Sequence, residues 1–352
     1  MKKNLLILSA SYGSGHNVAA TAMANYYKEK WYKIKIVDMV EFLEKSIWVT
    51  TQKYYQEFCQ QYPLSWEITY NLLDNAVIKK ILFGFRYPIF QKKFDTLIKE
   101  FEPGTIISFF PSWWWFIKKN IKRHWKKFRT GIVITDAISM HSIWYLEGSY
   151  IDNYFVIDEY SKEIFKQKFR HKKDNVTVSF FPIEEQYFID KQKVENKKIV
   201  LVLSALEKDF ALNLLSHLSK EKFDVTIIQG RNEALYETLN KLYWKKSQFR
   251  FVKYMNLKEH YKDIDIYIWK AGGATISECI ATDTPIIVPD IIPGQESGNV
   301  ELLMKSETGI YEDDPKKIIF YLTYLDFSRF LPNFAKLKQK KVCEMIYRKL
   351  SD

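Results

Sequence analysis

A histidine follows a short glycine-containing run, Ser9-Ala10-Ser11-Tyr12-Gly13-Ser14-Gly15-His16, between an apolar stretch and a stretch of helical composition. Gly13 and Gly15 permit a sharp, open turn. A neutral imidazole placed after such a turn can take the proton from an attacking hydroxyl; the same residue can instead cap the helix or touch a phosphate. A second run, Lys270-Ala271-Gly272-Gly273-Ala274-Thr275-Ile276-Ser277-Glu278-Cys279, follows the apolar stretch Ile264 to Trp269. Its glycines let backbone approach a ligand, and Thr275 or Ser277 can cap the helix that starts there. Free amides and the positive end of the dipole make such a helix start a site for a diphosphate. The plain alternative is a tight strand-to-helix turn. Glu278, one turn in, can accept hydrogen bonds from ribose hydroxyls. Downstream, Pro293-Gly294-Gln295-Glu296-Ser297-Gly298-Asn299 offers amides and carboxylates of the kind sugar hydroxyls demand. Thr135-Asp136 closes another apolar stretch and is followed by His141, Trp144 and Asp152. Asp136 can orient His16 or an acceptor; the alternatives are a strand-end cap and, for Trp144, a core aromatic.

These residues need elements to hold them. Unbroken apolar runs at Leu5 to Ser9, Ile34 to Asp38, Thr105 to Phe109, Gly131 to Thr135 and Tyr154 to Ile157 read as buried parallel strands, with a helix over Asn17 to Lys30. The pattern restarts after the charged stretch Asp190 to Lys198. Strands are expected at Ile199 to Ser204, Val225 to Gln229, Phe249 to Val252, Ile264 to Trp269 and Pro285 to Val288, alternating with helices near Asp209 to Lys220, Glu233 to Trp244 and Thr275 to Ala281. A chain of 352 residues exceeds what one core usually organises. The class is α/β, with two Rossmann-like domains, 1–190 and 191–352, facing across a cleft, and a final C-terminal helix able to pack back on the first domain.

Cys59, Cys279 and Cys343 have neither disulfide-framework nor zinc-site spacing. No apolar run reaches the roughly 18 residues of a membrane span, so a cytoplasmic protein is expected. The net charge of +11 is concentrated. Between Ile78 and Arg129 stand thirteen basic residues against three acidic ones, interleaved with aromatics that include Trp113, Trp114 and Trp125. Basic side chains with Trp and Phe suit the face of a peripheral protein on anionic lipid at the inner membrane surface. Nucleic acid would attract the same charges and is set aside as a partner; a solvated charged face over ordinary core aromatics is the other alternative.

Gly272 through Glu278, with Gly294-Gln295-Glu296 and Asn299, resembles the donor-binding signature of glycosyltransferase family 28, and most of the chain, most strongly residues 1–40 and 250–311, resembles a GT-B fold enzyme of that family. The resemblance implies that Gly272, Gly273, Ala274 and Thr275 face a diphosphate, Glu278 the ribose, Gln295 and Glu296 the transferred sugar, and that Tyr254 and Met255 border the uracil. The first half is similar to the monogalactosyldiacylglycerol synthase and processive diacylglycerol glucosyltransferase branch. That likeness implies a catalytic role for His16 and Asp136, diphosphate contacts from Gly13 and Gly15, and an acceptor or lipid side made by His141, Trp144, Trp113 and Trp114. The implied reaction is inverting transfer of a hexose from a UDP-sugar, a substrate rather than a cofactor, to a lipid such as diacylglycerol. No Asp-x-Asp metal motif stands in a convincing loop, so transfer without a metal is expected. Transfer of N-acetylglucosamine to a polyprenyl lipid, a UDP-N-acetylglucosamine 2-epimerase and a silent binding protein are the rivals. Two departures stand out: Ser204-Ala205-Leu206-Glu207 replaces a glycine-rich loop, and Phe181 replaces the glycine before Pro182-Ile183.

Overall fold

The computed structural model describes residues 3–11, 15–42, 65, 68, 87–125, 127–138, 140–145, 150–169, 175–292, 294 and 296–351. Gly13 and Gln295, with residues 78–86 of the basic stretch, lie outside the described residues. The chain divides into two compact units, Met1–Glu184 with Ile292–Gly298 and Lys341–Asp352, and Glu185–Ile291 with Asn299–Lys340.

The first unit carries β1 (Asn4–Ser9), β2 (Lys33–Asp38), β3 (Thr105–Ser108), β4 (Arg129–Val133), β5 (Asn153–Val156) and β6 (Val176–Val178). They form one sheet in the order β2-β1-β3-β4-β5-β6, with every pairing parallel. Leu5, Leu6, Ile7 and Leu8 are fully buried, as expected of a strand covered by helices on both faces. The register places Ser9 beside Asp38, Leu8 beside Ser108 and Ser108 beside Ile132. The carboxyl ends of four neighbouring strands therefore share one edge, where ligands of such sheets gather. The C-terminal helix Val342–Ser351 packs on this unit. Gly131 makes the approach possible, since a Cβ there would meet Leu350 Cδ1 at 2.9 Å. Tyr347 adds edge-to-face contacts with Tyr27 and Tyr32.

The second unit repeats the plan with β7 (Lys198–Val202), β8 (Asp224–Ile228), β9 (Phe249–Val252), β10 (Ile266–Ile268), β11 (Ile286–Val288) and β12 (Gly309–Tyr311), in the order β12-β11-β10-β7-β8-β9 and again all parallel. Its first and last segments are tied by ions: Lys338 Nζ lies 2.6 Å from Asp283 and 3.0 Å from Asp190. Lys338 and Asp283 are both nearly water-free, so loss of either one would leave the other an uncompensated buried charge.

The strands β6 and β12, three residues each, were not expected from the sequence. The unusual Ser204 loop forms a 3-10 turn, Leu203–Ala205. Ser204 Oγ accepts from the Arg231 amide at 3.1 Å, and Gly230 has φ +59° with no room for a Cβ against that hydroxyl. The loop is thus closed by packing on its neighbour.

Candidate active site

The edge at the end of β1 is built by a chain of short hydrogen bonds. Asn17 Nδ2 donates to Ser11 Oγ at 2.8 Å, Ser11 Oγ donates to Asp38 Oδ2 at 2.6 Å, and Ser9 Oγ donates to Asn17 Oδ1 at 2.5 Å. Asp38 also accepts from the Val40 amide at 2.8 Å. This network fixes both ends of the loop that delivers the helix Gly15–Glu29, with His16 as its second residue.

His16 Nδ1 lies 3.2 Å from Thr135 Oγ1, at the end of the segment after β4. A hydrogen bond to the Phe109 main chain and the nearby Asp38 carboxylate favour the imidazolium, but burial outweighs both and pushes the ring down to about 4. At neutral pH the imidazole is uncharged and able to accept a proton. Phe110 meets it edge-on at 5.4 Å and Trp144 lies at 6.3 Å.

Asp136 is held by a different partner. The Trp144 indole N–H donates to Asp136 Oδ2 at 2.6 Å. Burial, with Glu296 of the same unit as a like charge, raises this carboxyl to about 6 despite that hydrogen bond. Thr135, rather than Asp136, is the side chain bonded to His16, and Asp38 is the carboxylate that bears on it. Asp136 therefore has no orienting bond to the imidazole. Glu296 is buried and accepts from the Ile292 amide at 3.0 Å, so the segment carrying it folds on itself.

The four residues expected on the acceptor side, Trp113, Trp114, His141 and Trp144, are all buried. Trp113 is fully buried among Phe42, Phe94 and Phe116, and its indole N–H donates to the Ser9 carbonyl at 2.8 Å. It holds the end of β1 in place and faces no lipid. Trp114 is buried too, donates to the Ile143 carbonyl and stacks on Trp115. His141 is buried and uses Nδ1 to accept from the Ile143 amide at 3.1 Å, which opens the turn Ser142–Trp144. Trp125, at the end of the helix Trp114–His124, is strongly exposed, at 85%.

In the second unit the helix Gly273–Ala281 begins at Gly272, its N-cap, and no side chain among the described residues caps it. Thr275 and Ser277, expected as caps, are buried inside the helix. The first ladder bond runs from the Ile276 amide to the Gly272 carbonyl at 3.0 Å, so the amides of Gly273, Ala274 and Thr275 lie ahead of it. Asn299 Nδ2 donates to the Ala271 carbonyl at 2.8 Å and fixes the turn. Glu278 Oε2 accepts from the Tyr261 hydroxyl at 2.8 Å, and burial pushes the carboxyl up to about 7. Tyr254 is exposed and Met255 half-buried. Gly15 is the first residue of its helix. Sequence reading missed Asp38 and Tyr261 altogether. Asp38 had a usable signal, a carboxylate at the end of the strand paired with β1; Tyr261, seventeen residues from its partner, had none.

Two all-parallel six-stranded sheets covered by helices give the GT-B fold, and the sequence matches make the chain a glycosyltransferase. MurG from Acinetobacter baumannii superposes with a TM-score of 0.62 over 99% of each chain at 11% identity. Residues 16–183 match the monogalactosyldiacylglycerol (MGDG) synthase family and residues 192–305 the glycosyltransferase family 28 C-terminal domain, and the chain belongs to glycosyltransferase family 28 in this MGDG-synthase-like form. It is 28% identical to the processive diacylglycerol β-glucosyltransferase of Bacillus licheniformis, over 84% of this chain and 80% of that one. It is 26% identical to monogalactosyldiacylglycerol synthase 3 of Arabidopsis thaliana, over 90% of this chain and 72% of that one.

Proposed function

We propose that this chain moves a hexose from a UDP-sugar to a diacylglycerol-type lipid, with inversion, at the surface of an anionic membrane. The observation that carries the reading is His16: a buried, uncharged imidazole held by Thr135 at the carboxyl edge of its sheet. The acceptor hydroxyl oxygen bonds to the anomeric carbon, its proton passes to His16, and the bond to the diphosphate breaks with its electron pair leaving on UDP. The amides of Gly273, Ala274 and Thr275 meet the charge that develops there. Asp136 then serves the acceptor side. Transfer proceeds without a metal, so a chelator leaves turnover unchanged. The relatives named above supply the acceptor class, and their own names are the support for a lipid over the rival acceptors.

The deciding experiment incubates the protein with a panel of UDP-sugars and with diacylglycerol, glycosyl-diacylglycerol and polyprenyl phosphate acceptors, read by mass spectrometry. A glycosyl-diacylglycerol product is expected; product on the polyprenyl acceptor alone, or free sugar epimerisation without transfer, would overturn the reading.

The membrane contact is proposed for the cytoplasmic leaflet through the basic helix Trp114–His124 and the exposed Trp125. No helix among the described residues is long and apolar enough to cross a membrane. Each basic residue near an anionic surface contributes about 1 kcal/mol. Replacing Lys118, Lys119, Lys122 and Arg123 with glutamine is therefore expected to weaken sedimentation with phosphatidylglycerol vesicles by about 10³-fold at low salt, with the gap closing as salt rises. Equal binding by both proteins would dismiss this face.

A further inference from the structure

Tyr261 is a buried residue whose hydroxyl has one partner, the carboxylate of Glu278, at 2.8 Å. It follows the short helix Leu257–His260, in the connection that also carries Tyr254 and Met255. Its ring is wedged edge-on against Tyr187 at 5.9 Å and lies 6.3 Å from Tyr267, so the phenol cannot swing without moving the core of the second unit. Glu278 is reached from this side through Oε2 only; among the described residues no side chain bonds to Oε1. A carboxylate on the first turns of a helix has several rotamers, and a fixed donor on one oxygen selects the rotamer.

We infer that Tyr261 is a positioning residue of the donor site: its hydroxyl pins one oxygen of Glu278 so that the other meets a vicinal diol of the nucleotide. The inference rests on the reading of Glu278 as the donor-binding acid. It gives the connection after β9 a second task, since the segment bordering the base also sets the group that reads the sugar next to it. A phenol is suited to this, because it presents one donor from a rigid ring and loses little side-chain entropy on binding. Burial holds it protonated, and therefore a donor, throughout the neutral range. The other titratable groups that bear on this site, Tyr267 and Cys279, are likewise kept neutral by burial. The charge state of the site thus belongs to Glu278.

Tyr261→Phe removes the hydroxyl and keeps the ring. Loss of a hydrogen bond to a charged group is expected to raise the KM for UDP-sugar about 10-fold with kcat within about 2-fold. The acid limb of kcat/KM for the donor should also move to higher pH, because the bond that favours ionised Glu278 is gone. A purely structural tyrosine would lower the melting temperature and leave both KM and the limb where they were, and that result overturns the inference. Difluorotyrosine at position 261, the same shape with a stronger donor, should move the limb the other way; a limb unmoved by it is equally fatal, and this variant covers the case of a phenylalanine protein that fails to fold. Glu278→Gln separates the two levels. If it raises donor KM while Tyr261→Phe does not, the inference alone fails; if Glu278→Gln leaves donor KM unchanged, the donor-site reading falls and this inference falls with it.

Discussion

Replacing His16 with alanine is expected to lower turnover by about 10² to 10⁴, the range for loss of a general base, while UDP still binds. The geometry explains why binding should survive. His16 is held by Thr135 and the Phe109 main chain on the first sheet, whereas the amides assigned to the diphosphate belong to the helix Gly273–Ala281 of the second unit. Burial holds the free imidazole down at about 4. It is a weak base until the anionic donor arrives, and negative charge beside it then raises its basicity towards the range where proton transfer is efficient. Thr135→Val, which removes only the hydroxyl facing Nδ1, should cost less than His16→Ala but act on kcat in the same direction. Turnover by H16A within a few-fold of the parent would remove the imidazole from the reaction.

Glu278→Gln is expected to do two opposite things, weakening the donor complex and strengthening the fold at alkaline pH. The folded carboxyl titrates at about 7 against an ordinary value of 4.5, because burial penalises its charge. A group raised in the folded state contributes its full stability below the unfolded value and loses it as pH climbs through the folded one. The loss therefore falls between about pH 4.5 and 7. One unit is worth about 1.4 kcal/mol, so the ionised acid costs the fold up to about 3 kcal/mol at pH 8. Glutamine carries no such charge and still accepts from Tyr261. Urea unfolding of the two proteins should differ little at pH 4.5 and by about 1 to 3 kcal/mol at pH 8, in favour of the variant. Parallel stability at both pH values would mean that Glu278 is not desolvated as the structure has it. The same titration assigns the acid limb of donor kcat/KM near pH 7 to Glu278; a limb there would ordinarily be credited to a histidine, and Glu278→Gln should erase it.

This stability cost makes Glu278 a candidate site residue. Asp136 is a second acid raised by burial, with Glu296 as a like charge, and is a candidate on the same ground. Lys338, by contrast, is buried beside two carboxylates and needs no ligand to account for it.

Strand and helix placement was largely legible in the chain. The apolar runs at Leu5 to Ser9 and Ile199 to Ser204 are unbroken enough to identify buried parallel strands, and glycines follow β1 and β10 in the sequence. The pairing of side chains was not. Thr135 lies 119 positions from His16, and Trp113 reaches Ser9 across 104. Those contacts exist because the sheet order is β2-β1-β3-β4, which lays β3 beside β1 and β4 beside β3 and brings the loops after them to one edge. Nothing local encodes that order. The fate of the aromatics is similar: Trp113, Trp114 and Trp125 stand in one basic stretch, yet two are consumed by the core and one is left in water. By itself the sequence determined the two parallel sheets, the glycine loops and the chemical types at their ends, since hydrophobic period and turn chemistry act within a few residues. Only the tertiary structure decided that His16 answers to Thr135, Asp136 to Trp144 and Glu278 to Tyr261, because those partners are selected by packing across the sheet and by the cost of burying a polar group without one.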